Sequence, residues 1–161
     1  MRRSFPLIAA LAATMILAAP DAASPQQGPG PAAAYRPGLG DLMTMTVQPR
    51  HTKLGLAGAA GNWTYAAYAL HELEESFERA AKAWPKYRTY SIPDMMESVA
   101  REPMKAVADA IKAGDAARFT AAYAQLTASC NTCHQSTERG FIVIQAPAAS
   151  PFPDQDLRPR N

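Results

Sequence analysis

Cysteine is the scarcest chemistry-bearing residue of this 161-residue chain: there are two, too few for the disulfide framework that small secreted domains rely on. Histidine is nearly as scarce, at three. An excess of charge of one sign is missing too. Sixteen Lys and Arg against fourteen Asp and Glu leave a net charge of +2, which excludes a strongly basic nucleic-acid binder. Long apolar runs are lacking with one exception, Phe5 to Ala19, which is short for a membrane-spanning helix. Proline is withheld from the middle: ten of the fourteen lie outside residues 42–144.

These absences frame the organisation of the chain. Arg2 and Arg3 precede the apolar run, and the small, polar string Pro20-Asp21-Ala22-Ala23-Ser24 follows it. This is the layout of a secretory signal peptide, expected to be removed as residues 1–24. Removal takes Arg2, Arg3 and Asp21, so the net charge falls from +2 to +1. Residues 25–40 and 145–161 mix Pro with Ala, Gly, Gln or Asp and lack apolar periodicity. They read as a disordered linker and a disordered Pro-rich tail. The expected folded body is residues 41–144, one domain without an internal repeat.

What is present stands out against this background. The two cysteines are three apart and a histidine follows at once: Cys130-Asn131-Thr132-Cys133-His134. C-x-x-C-H is the spacing that attaches c-type haem: on one helical turn both thiols reach the two vinyl groups of a haem edge, and the adjacent imidazole reaches the iron. Three rival readings are weaker. A structural zinc site needs four ligands, with only His51 and His71 outside the motif to complete it. A thioredoxin-like redox pair requires a βαβ context that is not visible. A disulfide across two intervening residues closes a tiny loop and stabilises little. The leading reading therefore has one covalently attached haem c, with Cys130 and Cys133 as thioether sites and His134 as proximal iron ligand. Export and covalent haem together point to the periplasm.

Hydrophobic spacing predicts four amphipathic helices. Asp41 is a candidate N-cap for the first, with Met43, Val47, His51, Leu54 and Gly58 on one face and Pro49 as a kink or restart. Gly61 and Asn62 form a stop-and-start pair before the stripe Trp63, Ala66, Leu70, Leu73, Phe77, Ala80, Trp84, which ends at Pro85. Ser91 and Asp94 resemble a capping box opening a third helix that contains Pro103. Gly114 and Asp115 separate it from a fourth, whose face Phe119, Tyr123, Leu126, Cys130, Cys133 carries the motif. This helix is expected to run to Arg139 and stop at Gly140. Short links imply an up-down-up-down four-helix bundle, with the haem near one end. In that arrangement His134 faces Met43 to His51 or Met95 and Met96, and Phe141 to Ile144 can fold back over the haem's edge.

The second axial position is open to three readings: His51; Met43 or Met45, whose thioether raises reduction potential relative to a second histidine; or no protein ligand. Gly55 and Gly58, on the face of His51, either let a flat macrocycle approach the backbone or serve close helix packing. His71 reads as structural.

A four-helix body with a single Cys130-x-x-Cys133-His134 near its C-terminal end resembles the class II c-type cytochromes, the cytochrome c′ and cytochrome c-556 group, over about residues 41–140. The resemblance implies Cys130 and Cys133 as thioether sites and His134 as fifth ligand. It implies either a first-helix methionine, here Met43 or Met45, as sixth ligand, or an open distal face that binds nitric oxide or carbon monoxide. Arg50-His51-Thr52-Lys53-Leu54 departs from both patterns. The expected function is single-electron transfer to periplasmic redox partner proteins rather than enzyme catalysis, with no nucleic-acid partner and no membrane insertion after signal cleavage. A gas-binding or gas-sensing haem protein is the alternative, ahead of a haem enzyme such as a peroxidase and a haem-free module. Class II relatives are often dimers through the first two helices, and small residues at Gly55, Ala59, Ala66 and Ala69 would permit a homodimer.

Overall fold

The computed structural model describes residues 35–160; the expected signal peptide and the first part of the expected linker lie outside the described residues. The fold is all-α, with four long helical stretches among the described residues. The first is composite: α1 (Leu39–Leu42), a π-helical segment (Met43–Val47) and α2 (Gln48–Ala59) follow one another without a break. α3 (Trp63–Ala83), α4 (Ile92–Ala113) and α5 (Ala116–Ser136) complete the set, and a two-residue-per-strand hairpin, β1 (Lys86–Tyr87) and β2 (Tyr90–Ser91), joins α3 to α4.

The π-helical segment has a cause in the sequence. Pro49 has no N–H, and its ring crowds the carbonyl four residues back, that of Met45. The widened turn, in which Gln48 N–H bonds to Met43 O, accommodates this without ending the helix. Pro103 is likewise carried inside α4, which is not split.

Helix ends follow local chemistry. Asn62, Ser91 and Asp115 cap α3, α4 and α5, their side-chain oxygens accepting from Tyr65, Asp94 and Arg118 N–H. Three ends carry the same paired terminal bonds, 6→1 and 5→2: Asn62 to Ala57 with Gly61 to Gly58, Asp115 to Ala110 with Gly114 to Ile111, and Arg139 to His134 with Glu138 to Gln135. The left-handed position is glycine in the first two, with φ of 71° and 63°. In the third it is Glu138, at φ 60°. α5 therefore ends at Ser136, three residues short of the expected Arg139; the expectation followed Gly140, whereas a non-glycine residue makes the turn.

One core draws on all four stretches: Val47, Leu54 and Ala57; Ala66, Ala69, Leu70 and Leu73; Val107, Ala110 and Ile111; Phe119, Ala122, Tyr123 and Leu126. Gly55, Ala66 and Ala69, expected as dimer-permitting surface, are buried within this chain, and of that set only Ala59 is exposed. Among the described residues no helix is long and apolar enough to cross a membrane.

Both expected boundaries of the body move outward. At the front, Gly38 rather than Asp41 is the N-cap; Asp41 sits in the first turn and its carboxylate accepts from Gly38 N–H at 3.2 Å. Ahead of it, Arg36 stacks on Trp84, and Pro37 O takes the indole N–H at 2.9 Å. At the back, the tail expected to be disordered lies against the helices. Asn62 Nδ2 donates to both Leu157 O and Arg158 O at 3.1 Å. Gln155 donates to the Tyr65 hydroxyl at 2.8 Å, Lys53 sits over the Phe152 ring, and Leu157 is buried. Sparse apolar residues, one buried leucine among them, and side-chain bonds to backbone carbonyls hold this segment, and neither leaves a periodic trace.

Candidate functional site

The motif sits in the last two turns of α5, facing a cavity of about 390 Å³, within the size range of small-ligand sites. Its wall is mostly apolar. Leu39, Met43, Val47 and His51 come from the first stretch, Phe77 from α3, and Ile92, Met95, Met96 and Val99 from α4. Cys130, Cys133 and His134 come from α5, and Arg139, Ile142 and Ile144 from the segment after it. The structure thus brings the motif together with Met43, His51, Met95 and Met96 in one cavity wall.

Cys130 and Cys133 are free thiols, both partly covered. Burial, and then the neighbouring Cys133, push the Cys130 thiol up to about 11, and burial raises Cys133 as well. Thiols held in the protonated form lack the lowered pKa of reactive redox cysteines. Cys133 Sγ donates to Met95 Sδ at 3.1 Å.

His134 is oriented from outside the helix. Its Nδ1 lies 2.9 Å from Ile142 O. A carbonyl only accepts, so Nδ1 is the donor, a contact of the kind that commonly orients metal-ligating histidines. Ile142 is placed by its own N–H bonding to Arg139 O at 2.8 Å. Asn131, inside the motif, fixes the segment further along: it accepts from Ile144 N–H at 2.8 Å and donates to Ile144 O at 3.0 Å. Side chains in this strap alternate. Ile142 and Ile144 line the cavity, while Phe141 and Val143 are 78% and 63% exposed. Asn131 was missed in the sequence because the two positions between the cysteines carry no fixed chemistry.

His51 is 3% exposed and both ring nitrogens are engaged, Nε2 with Thr127 Oγ1 and Nδ1 with the Tyr123 hydroxyl, each at 3.0 Å. Those hydroxyls also reach the carbonyls of Tyr123 and His51. Burial lowers the His51 pKa to about 4, so the ring is neutral, donating through one nitrogen and accepting at the other. Metal ligation by His51 requires one of these bonds to break. Gly55 and Gly58 do not open onto the cavity. A Cβ on Gly55 would stand 2.5 Å from the Tyr123 ring, and one on Gly58 would stand 2.0 Å from Phe119; the glycines make room for aromatic rings of α5, the packing alternative. Met43 lines the cavity at the start of the π-helical segment, whereas Met45 is 72% exposed and takes no part in the wall. His71 is on the surface, 3.4 Å from Glu75. Among the described residues no three His, Cys, Asp or Glu side chains gather as a metal-binding group.

Comparison with protein-family models, with curated proteins and with solved structures gives no match for this chain.

Proposed function

We propose that this chain is a periplasmic monohaem c-type cytochrome that carries single electrons, on an up-down-up-down four-helix bundle of the class II kind. One observation carries the reading: two free thiols and an imidazole oriented through its Nδ1 share one wall of one apolar cavity. This donor set fits haem c, with Cys130 and Cys133 as thioether sites and His134 as proximal ligand. Cys130 and Cys133 would hold the group as thioethers, each S–H adding across a vinyl double bond, which would need no oxidant. Haem supplies one-electron exchange at its iron when bound. The protein's part is to hold it, set its potential through ligand and burial, and present an edge to redox partner proteins. Helix connections of three, eight and two residues, the middle one containing the β1–β2 hairpin, support the antiparallel arrangement.

Met43 is the favoured sixth ligand. It lines the cavity and its thioether is free of the bonds that occupy His51. Electron transfer without enzyme catalysis then follows, because two protein ligands leave no position for a substrate. The engagement of His51 equally supports a second reading: with Met43 unbound the iron keeps an open face, and the protein binds gases such as carbon monoxide or nitric oxide. The visible spectrum of the ferrous protein, made with periplasmic haem maturation, separates these. Sharp, split bands unaffected by carbon monoxide are expected for the carrier. A broad high-spin band that shifts with the gas means an open iron.

A further inference from the structure

Among the described residues the cavity wall contains one Arg, Arg139, and no Asp, Glu or Lys. Arg139 is half-buried at the edge of this apolar cavity, where a guanidinium can pair with an anion. Among the described residues no carboxylate lies within salt-bridge distance of Arg139. Its neighbour Glu138 is taken by Arg88. Arg139 instead donates to the Tyr87 hydroxyl and, at 3.4 Å, to the Glu138 carbonyl, with its guanidinium near the Tyr87 and Phe141 rings. It is held in place from two directions. The terminal bond from its N–H to His134 O, 2.7 Å long, turns the chain back toward the cavity, and the β1–β2 hairpin supplies Tyr87.

We infer that Arg139, aimed by Tyr87, is a carboxylate anchor: the cavity takes a ligand with a flat apolar body and an acidic end, and Arg139 binds a propionate of the haem. The guanidinium fork matches a carboxylate in charge and geometry, and nothing else in the lining can neutralise one. The inference rests on the haem reading.

Resonance Raman spectra of the wild-type, Arg139→Gln and Arg139→Lys holoproteins test it through the propionate bending band, whose frequency follows hydrogen bonding to the carboxylate. The band should move to lower frequency in Arg139→Gln and stay near the wild-type position in Arg139→Lys. An unmoved band in Arg139→Gln, with haem covalently attached in all three proteins, overturns the anchor and leaves the haem reading intact. A drop in melting temperature with an unmoved band means that Arg139 only packs on Tyr87, which also overturns it. If Arg139→Gln does not accumulate, Tyr87→Phe serves: a smaller shift in the same direction supports the anchor and none refutes it. A wild-type protein without covalent haem removes both readings.

Discussion

The face between the first helical stretch and α5 has two halves that pack in opposite ways. In one, Gly58 and Gly55 leave hollows that Phe119 and Tyr123 fill. Phe119 and Tyr123 stack on each other, His51 stacks on Tyr123, and Trp63 meets Phe119 edge-on. In the other half, two turns along α5, the side chains are cysteines and a serine, facing Met43 and Val47 across a cavity. The same two helical stretches are thus sealed where glycine opposes an aromatic ring and open where Met43 and Val47 oppose Ser129, Cys130 and Cys133. His51 stands at the border, in the cavity wall and in the hydrogen-bonded network of the sealed half. The cavity thus lies at the end that carries the motif, and the other end of the face is filled by aromatic rings.

The largest expected effect belongs to the open half alone. Changing Cys130 and Cys133 to Ser should abolish haem that survives denaturation, with helix content kept; pigment that stays with the denatured variant would break the assignment. Next is the border. The His51 pKa, about 4 in the fold against 6.5 for the free side chain, means that the unfolded chain binds the extra proton first as pH falls. His51 is without this effect above about pH 7, and its destabilisation grows from about 6.5 down to about 4, reaching about 3 kcal/mol. Urea midpoints across that window should fall more steeply for wild type than for His51→Gln. If Met43 is the sixth ligand as proposed, the visible bands of His51→Gln should match wild type.

In the sealed half, Gly58→Ala drives a Cβ into Phe119 and should cost about 1–3 kcal/mol. The melting temperature falls while the haem bands hold; altered bands would mean that the halves are coupled. The smallest effect is expected at Asn62→Ala, which loses an N-cap worth about 1 kcal/mol and the two bonds to Leu157 and Arg158. Faster hydrogen exchange around residues 155–158 should report the freed tail.

Legibility in the sequence followed the range of the physics. Asn62, Ser91, Gly114 and Asp115 were readable because a cap acts within four residues. The stripes on α3 and α5 were readable because burial imposes the helical period. Two alternatives were readable for the motif's neighbours, Met43 to His51 or Met95 and Met96, and the cavity wall holds residues of both. What escaped depends on distant partners. Pro37 and Arg36 are held by Trp84, the tail by Asn62 and Tyr65, and the ring of His134 by a carbonyl eight residues on. Glu138 takes a backbone position where glycine is the usual signal, so the end of α5 was misplaced. The purpose of Gly55 and Gly58 was undecidable without knowing that Tyr123 and Phe119 lie opposite.

The most direct test of the account is the intact mass of the wild-type protein, produced with periplasmic haem maturation and denatured before measurement. The account predicts a mature chain heavier by one haem, with no free thiol left to alkylate at Cys130 or Cys133. A colourless chain of unmodified mass, with both thiols reactive, would contradict it.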